Sequence, residues 1–195
     1  MGERGGSGFV FQNDFHQPED DAVARCLLVY SSVTGNTRMV AEAIRAVLPE
    51  CTDVFAVRNA PTPEEYDLVI LGFWVHRAGP DPMMTRYMET VRGCAVAFFG
   101  TLAAYPDSPH AQKVIARAEA LLDGNRILGS FLCQGKLAPG RFEKRMRGDG
   151  ADGNHPMTEE RRARLVEAAR HPDERDLARA KEVFARIAAA MEHTV

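Results

Sequence analysis

Residues 28–37 read LVYSSVTGNT, in which an apolar run passes directly into hydroxyl-bearing side chains and a glycine. The apolar run begins at Cys26 and ends at Tyr30, which is typical of a strand covered on both faces in a parallel sheet. Beyond the turn, apolar residues recur at helical spacing from about residue 37 until Pro49 ends the pattern. The segment therefore predicts a buried strand, a polar turn and a helix, in that order.

The same alternation continues along the chain. Apolar runs predict four more strands, at residues 54–57, 68–73, 95–99 and 127–133. Amphipathic patterns predict further helices at about residues 83–91, 111–122 and 172–191. Strands that alternate with helices form a doubly wound α/β sheet, so we expect a single α/β domain over residues 25–195.

Two polar segments interrupt or precede this pattern. Residues 1–24 are rich in Gly, Asp, Glu and Gln, and we expect a disordered or loosely packed N-terminal extension. Residues 135–171 form a polar, charged insert before the last helix, with a short helix expected at about 156–169. Four arginines fall within residues 161–170, among several glutamates. This run is either a salt-bridged solvent face or a docking site for an acidic redox partner.

The composition narrows the classes of function. The 195 residues carry a formal net charge of -3, which argues against nucleic acid as a partner. The cysteines are Cys26, Cys51, Cys94 and Cys133. Because they are widely spaced, they predict reduced thiols rather than a zinc site or a disulfide framework. No apolar run approaches about 20 residues and no signal-peptide pattern is present, so we expect a cytoplasmic protein without membrane contact.

The titratable residues outside the turn suggest no further chemistry. His155 and His171 each precede a proline in a loop, with no ligand-type residue at a metal-like spacing. No Ser/His/Asp or Cys/His arrangement stands out either. We therefore expect no metal and no catalytic side chain.

The turn at residues 31–37 has the composition of an anion site. Unpaired N–H groups and the helix dipole favour an anion at a helix N-terminus. Gly35 and Asn36 tolerate the positive backbone angles that a tight loop requires. A single Ser or Thr at this position would suggest only a helix cap, but the dense cluster favours a phosphate. Neither G-x-x-x-x-G-K-[ST] nor G-x-G-x-x-G is present, which excludes those two phosphate loops.

This stretch resembles the phosphate loop of the flavodoxin family, in which a TGNT core follows an apolar strand. The resemblance in element order covers about Cys26 to Cys133 and the final helix. It implies a flavodoxin-like doubly wound five-stranded parallel sheet in the order 2-1-3-4-5. It also implies flavin mononucleotide (FMN) as cofactor and electron transfer as activity. The residues that would hold the FMN phosphate are Ser31, Ser32, Val33, Thr34, Gly35, Asn36 and Thr37.

By the same resemblance, two further loops would flank the isoalloxazine ring. The loop after the third strand would contribute Phe73, Trp74, Val75, His76 and Gly79. The loop after the fourth strand would contribute Gly100, Thr101, Leu102 and Tyr105. Trp74 and Tyr105 would stack on the ring, a contact worth about 1 kcal/mol beyond area burial. The alternatives are a core anchor for Trp74, a turn cap for Tyr105 and a plain turn glycine for Gly79.

The third-strand loop departs from the family pattern. Flavodoxin loops at the flavin are commonly acidic, whereas this loop carries His76 and Arg77. A positive charge near the ring would stabilise the anionic reduced flavin and raise the midpoint potential. The sequence therefore predicts a less reducing carrier that works with two electrons, unless Arg77 is simply a solvated surface residue.

Two longer motifs resemble one part of the family. The stretches GFWVHRAGPDP and HPMTEERRARL resemble a bacterial subgroup of flavodoxin domains that includes an accessory protein of bilirubin reductase. The expected function is electron delivery to a partner redox protein by a monomer or homodimer. Two alternatives remain open, an FMN-dependent NAD(P)H:quinone-type reductase and a flavin-free regulatory or scaffold module.

Overall fold

A computed structural model describes residues 24–147 and 157–192. Its sheet has five parallel strands in the order β2-β1-β3-β5-β6, and the short β4 pairs antiparallel with β3. The strands are β1 (Cys26–Tyr30), β2 (Asp53–Ala56), β3 (Leu68–His76), β4 (Gly79–Pro80), β5 (Ala95–Leu102) and β6 (Arg126–Gln134). Because the expected fourth and fifth strands are β5 and β6, the order 2-1-3-4-5 is confirmed.

Six α-helices and two short 3-10 helices, at Val57–Asn59 and Pro63–Glu65, lie within the described residues. The α-helices are α1 (Asn36–Arg45), α2 (Pro82–Met88), α3 (Pro109–Leu121), α4 (Pro139–Arg147), α5 (Glu159–Ala168) and α6 (Glu174–Glu192). The sequence did not predict α4, whose PGRFEKRMR segment has no buried residue and therefore no apolar stripe to reveal it. The short helix expected in the polar insert is α5, capped by the Thr158 side chain, which accepts a hydrogen bond from the Arg161 N–H.

The helices cover both faces of the sheet. On one face, α1 and α6 pack on the strands through Ile44, Phe99 and Phe184, all without exposed surface. On the other face, α2 and α3 pack through Met84 and Val114, which are equally buried. Because both faces are covered, the central strands β1, β3 and β5 are apolar almost throughout.

Two strands are longer than the sequence predicted. β3 continues through Trp74 and Val75 to His76, where the sequence predicted a loop from residue 74. The chain then reverses and Gly79–Pro80 pairs with Val75 and His76, which gives the end of β3 an antiparallel partner. β5 continues to Leu102 because Phe73 and Trp74 pair with Gly100 and Thr101.

The N-terminal extension expected over residues 1–24 lies, except for Ala24, outside the described residues. Residues 148–156 of the polar insert lie outside them as well. In the part of the chain that the structure describes, no helix combines the length and the apolar character needed to cross a membrane.

Candidate functional site

The loop between β1 and α1 presents main-chain N–H groups at the carboxyl edge of the sheet. Gly35 precedes α1 in the left-handed conformation, with φ 87°, and as the N-cap residue it makes no side-chain hydrogen bond to the helix. The first N–H groups to find an acceptor are those of Arg38, bound to Ser32 Oγ at 3.3 Å, and Met39, bound to the Gly35 carbonyl at 2.9 Å. Among the described residues, the N–H groups of 32–37 donate no hydrogen bond. These free donors at a helix N-terminus suit a phosphate.

Ser31 has no free N–H group, unlike residues 32–37, although the sequence predicts that it contacts the phosphate. Its N–H donates to the Gly72 carbonyl at 2.8 Å and continues the pairing of β1 with β3. Its hydroxyl donates to Asp81 Oδ1 at 2.9 Å, and the residue is only 6% exposed. Both donors of Ser31 are therefore used within the protein beneath the loop, and its contact with the phosphate stays a prediction.

Buried polar contacts join the start of α1 to the ends of β5 and β6. Thr37 Oγ1 and Thr101 Oγ1 lie 3.0 Å apart, and both residues are buried. Asn36 Nδ2 donates to the Lys136 carbonyl at 2.8 Å, while Asn36 Oδ1 is buried without a partner. A Cβ at Gly135 would stand 2.8 Å from Asn36 Nδ2, so only glycine admits this approach. These contacts fix the loop relative to its neighbours.

The β3–β4 hairpin stands beside this loop. Trp74 and His76 are half-buried, and their rings meet edge to face with centroids 5.4 Å apart. The turn residues are Arg77 and Ala78, with φ 48° and 61°. Positive angles at both positions define a turn that normally selects Asn and Gly. Gly79 pairs with His76 as a strand residue and is therefore not a plain turn glycine, while its approach to the flavin stays a prediction.

Several residues that the sequence assigned to the flavin lie in the core. Phe73 has no exposed surface and stacks on Phe98 with centroids 6.1 Å apart. A Cβ at Gly100 would meet Phe73 Cε2 at 2.8 Å, so this glycine makes room for a core side chain. Leu102 is 4% exposed in the same cluster. Extended β3 and β5 carry these positions into the sheet, and their contacts with flavin stay predictions.

The remaining predicted residues stay at the edge. Val33 is 74% exposed at the tip of the β1–α1 loop, and Tyr105 is 39% exposed in the loop after β5. Ser32, Thr34 and Gly35 are at least partly exposed, and Val75 is half-buried against the core. The structure brings these positions to one edge together with Trp74 and His76. Their contact with FMN stays a prediction.

Asp81 is a residue of this site that the sequence did not single out. It is 1% exposed and accepts hydrogen bonds at Oδ1 from Ser31, Met83 and Met84, which caps α2. Burial raises the pKa of this carboxyl, and the hydrogen bonds from Ser31 and the two amides oppose that rise. The Asp-Pro pair at 81–82 is a helix-start signal, but only the hairpin brings it to Ser31.

His171 has partners that the sequence did not reveal. Its Nδ1 lies 2.5 Å from Asp176 Oδ2, and its Nε2 lies 3.4 Å from Glu167. Ligand-type atoms of His171, Asp173 and Asp176 lie within 4.8 Å of one another. Asp173 and Asp176 each accept a hydrogen bond from the main-chain N–H of the other, which closes the first turn of α6. His171 is thus part of a hydrogen-bonded cluster rather than an isolated loop histidine.

The comparisons with known proteins agree with this architecture. The family model of the flavodoxin domain matches residues 27–185. This chain belongs to the flavodoxin family. Membership supports the predicted cofactor, FMN, and an electron-transfer role for this flavodoxin domain.

Individual relatives point the same way. The flavodoxin-like domain-containing protein BilS of Clostridioides difficile strain CD3 is 32% identical over 158 residues, which cover 78% of this chain and 90% of BilS. This supports the resemblance to a subgroup of flavodoxin domains, the one that includes BilS. The flavodoxin of Streptococcus pneumoniae TIGR4 matches with a TM-score of 0.54 at 15% identity, covering 86% of this chain and 99% of that one. Oxidised Flavodoxin 2 of Bacillus cereus matches at 0.52 and 20% identity, with the same coverage. These structural likenesses show the fold alone.

Proposed function

We propose that this flavodoxin domain holds FMN non-covalently and carries its electrons to a partner redox enzyme. The observation that carries the proposal is the set of free main-chain N–H groups over residues 32–37, at the N-terminus of α1. A dianionic phosphate would accept several of these donors at once, and charge-assisted hydrogen bonds are about twice as strong as neutral ones. The hydroxyls of Ser32 and Thr34 add donors beside them.

The other residues at the edge would position the ring. Trp74 stands near the end of β3 and Tyr105 on the loop after β5, beside the phosphate loop, and a flat heterocycle stacks on such aromatic faces. When bound, FMN supplies the electron chemistry, so no protein acid or base is required. The protein binds the phosphate, orients the ring and leaves an edge open for an electron acceptor. A site at the rim of the sheet meets that last requirement.

Two glycines allow a matched test of the phosphate loop. Gly35 and Gly124 have nearly the same φ, 87° and 83°, and a Cβ at either would meet nothing within 4 Å. Gly35→Ala and Gly124→Ala should therefore cost a similar amount of stability, about 1–2 kcal/mol for a left-handed residue. Gly35 lies in the phosphate loop, whereas Gly124 precedes β6 at the opposite edge of the sheet.

We expect the wild type to purify with, or to take up, a flavin that shows the absorbance bands of oxidised FMN. Gly35→Ala should weaken FMN binding at least about tenfold in a fluorescence titration, the equivalent of 1.4 kcal/mol. Gly124→Ala should bind FMN as the wild type does. A colourless wild type that ignores added FMN would contradict the proposal, and so would equal losses in the two variants.

A second experiment separates a carrier from a self-sufficient reductase. The FMN-loaded protein should oxidise NAD(P)H slowly or not at all, and should gain electrons from a separate reductase. Steady turnover of NAD(P)H with a quinone by the purified protein alone would contradict the carrier role. The similarity to BilS makes a reductase that acts with an accessory flavodoxin-like protein the first partner class to examine.

A further inference from the structure

One flank of α3 carries three basic side chains. His110, Lys113 and Arg117 follow one another at the i, i+3, i+7 spacing that places residues on one helix face. The adjacent side of α3, about 100° around the helix, is buried through Ala111, Val114 and Ala118. The only acidic residue of the helix, Glu119, lies two positions beyond Arg117 and therefore about 200° around the helix.

Neighbouring elements extend this flank. Arg117 donates a hydrogen bond to the main-chain carbonyl of Arg77, at the exposed tip of the β3–β4 hairpin. On the other side, Arg164 of α5 is near enough to His110 for its positive charge to act on the imidazole. Burial lowers the pKa of His110, and the charges of Arg164, Lys113 and Arg117 lower it further. We call the five residues Arg77, His110, Lys113, Arg117 and Arg164 the basic face.

The positive charge of the basic face is not neutralised. Within residues 24–147 and 157–192, none of its four Lys and Arg side chains forms an ion pair. Elsewhere on the surface, Arg25, Arg38 and Arg186 each bind a glutamate. The Nε of Arg164 is buried without any hydrogen-bond partner. The like charges of the basic face therefore repel one another, although the net charge of the chain is -3. Carboxylates of another molecule would relieve this repulsion.

The basic face borders the predicted flavin edge. The hairpin that ends at Arg77 carries Trp74, and α3 begins shortly after the loop that carries Tyr105. Exposed apolar side chains lie on the same edge, at Val33, Met83 and Tyr105. An apolar centre beside a charged rim is the usual anatomy of a protein–protein interface. A protein that approaches the flavin along this edge would therefore meet a positively charged surface.

We propose that the basic face docks an acidic protein surface that surrounds the redox group of the electron-transfer partner. The inference rests on the proposed function, because it concerns the protein that receives the electrons. Ion pairs across the rim would guide encounter and orientation, whereas Val33 and Tyr105 would pack at the centre. A protein fits better than a nucleic acid, because a nucleic-acid surface needs a broad basic field and this chain is acidic overall.

The test uses one redox protein in two charge states. Native cytochrome c is rich in lysine and basic, and succinylation converts its lysines to carboxylates and makes it acidic. The FMN-loaded protein is reduced and mixed with each form in a stopped-flow instrument at several ionic strengths. Each transfer takes one electron from the reduced flavin and converts one ferric haem iron to ferrous, while the flavin releases its protons to water.

Lys113 and Lys181 provide matched variants. Both are exposed helix lysines that make no hydrogen bond or ion pair in the described part of the chain, but Lys181 lies on α6, on the other face of the sheet. The wild type should transfer electrons to the succinylated form about tenfold faster at low salt than at high salt. Lys113→Glu should lower that low-salt rate several-fold, and Lys113→Glu with Arg117→Glu should lower it further. Lys181→Glu should leave it unchanged.

The outcomes separate this inference from the proposed function. Equal effects of Lys113→Glu and Lys181→Glu, or faster transfer to the native form at low salt, would overturn the basic face as a docking site while leaving the carrier role intact. Failure to reduce either cytochrome would overturn the carrier role itself. Binding of a fluorescent DNA duplex by the wild type, abolished by Lys113→Glu, would overturn the choice of a protein partner.

Discussion

At the scale of the single residue, the Asp81 carboxylate accepts hydrogen bonds from two separate parts of the fold. Its Oδ1 caps α2 and accepts the Ser31 hydroxyl, which lies below the phosphate loop. Asp81→Ala removes the cap and should lower the free energy of unfolding by about 1–2 kcal/mol. Asp81→Asn keeps a cap acceptor and should cost much less. Urea unfolding of the flavin-free variants measures both values, and an equal cost for the two would contradict this role.

Arg77 should act on the flavin through its charge. It is exposed at the hairpin tip, where its carbonyl is held by Arg117. Replacing the positive charge in Arg77→Glu should disfavour the anionic reduced flavin and lower the second reduction potential. The shift should shrink as salt is added, because exposed charges are screened. A spectroelectrochemical titration that shows no shift would make Arg77 a solvated surface residue.

At the scale of the element, Gly72 of β3 leaves the space that Phe99 of β5 fills. A Cβ at Gly72 would lie 2.1 Å from Phe99 Cζ, and Phe99 has no exposed surface into which it could move. Gly72→Ala should therefore destabilise the protein by about 1–3 kcal/mol through overpacking. Gly129→Ala is the control, since its Cβ would meet only the end of Ile187 at 3.3 Å. Similar denaturation midpoints for the two variants would contradict the packing argument.

Local signals explain which elements the sequence could predict. β1, the polar loop and α1 are contiguous, so the apolar run, the TGNT core and the helical period were all visible in one stretch. The β3–β4 hairpin was not visible, because its turn is Arg-Ala rather than the Asn-Gly that marks such a turn. The bond from Ser31 to Asp81 spans 50 positions and exists only after the hairpin forms.

At the scale of the whole molecule, His171 ties the polar insert to the site. It contacts Glu167 of α5 and Asp176 of α6, and its carbonyl accepts the N–H of Lys136, whose own carbonyl binds Asn36. Burial would lower the pKa of His171, but its hydrogen bonds to the two carboxylates outweigh this and raise it. The protonated side chain therefore bridges two helices.

A raised pKa of His171 fixes the direction of a pH effect. The folded state binds the proton more tightly than the unfolded state, so this stabilisation is complete below the ordinary His pKa of about 6.5. It is lost as the pH rises through the higher pKa of the folded state. The difference in unfolding free energy between the wild type and His171→Gln should thus be largest under mildly acidic conditions and shrink toward alkaline pH. A pH-independent difference would contradict the bridge.

The sequence could not predict groups of residues that come from distant parts of the chain, such as the cluster around His171 and the basic face. The arginine run of the insert was visible, but the effect of the Arg164 charge on His110 depends on the folded chain and not on a local pattern. The free N–H groups of residues 32–37 lie on one loop, whose composition predicted them. The burial of Ser31, Phe73 and Leu102 was not predicted, because strand pairing decides which side chains are buried.

The proposed phosphate site depends on the free N–H groups of residues 32–37, and a comparison of FMN with riboflavin tests it most directly. The two ligands share the ring and the sugar chain, and only FMN carries the phosphate. If several main-chain donors grip that phosphate, the flavin-free protein should bind FMN about 100-fold or more tightly than riboflavin, since hydrogen bonds to charged groups contribute about 1.5–3 kcal/mol each. Equal affinities for FMN and riboflavin would contradict a phosphate site at residues 32–37.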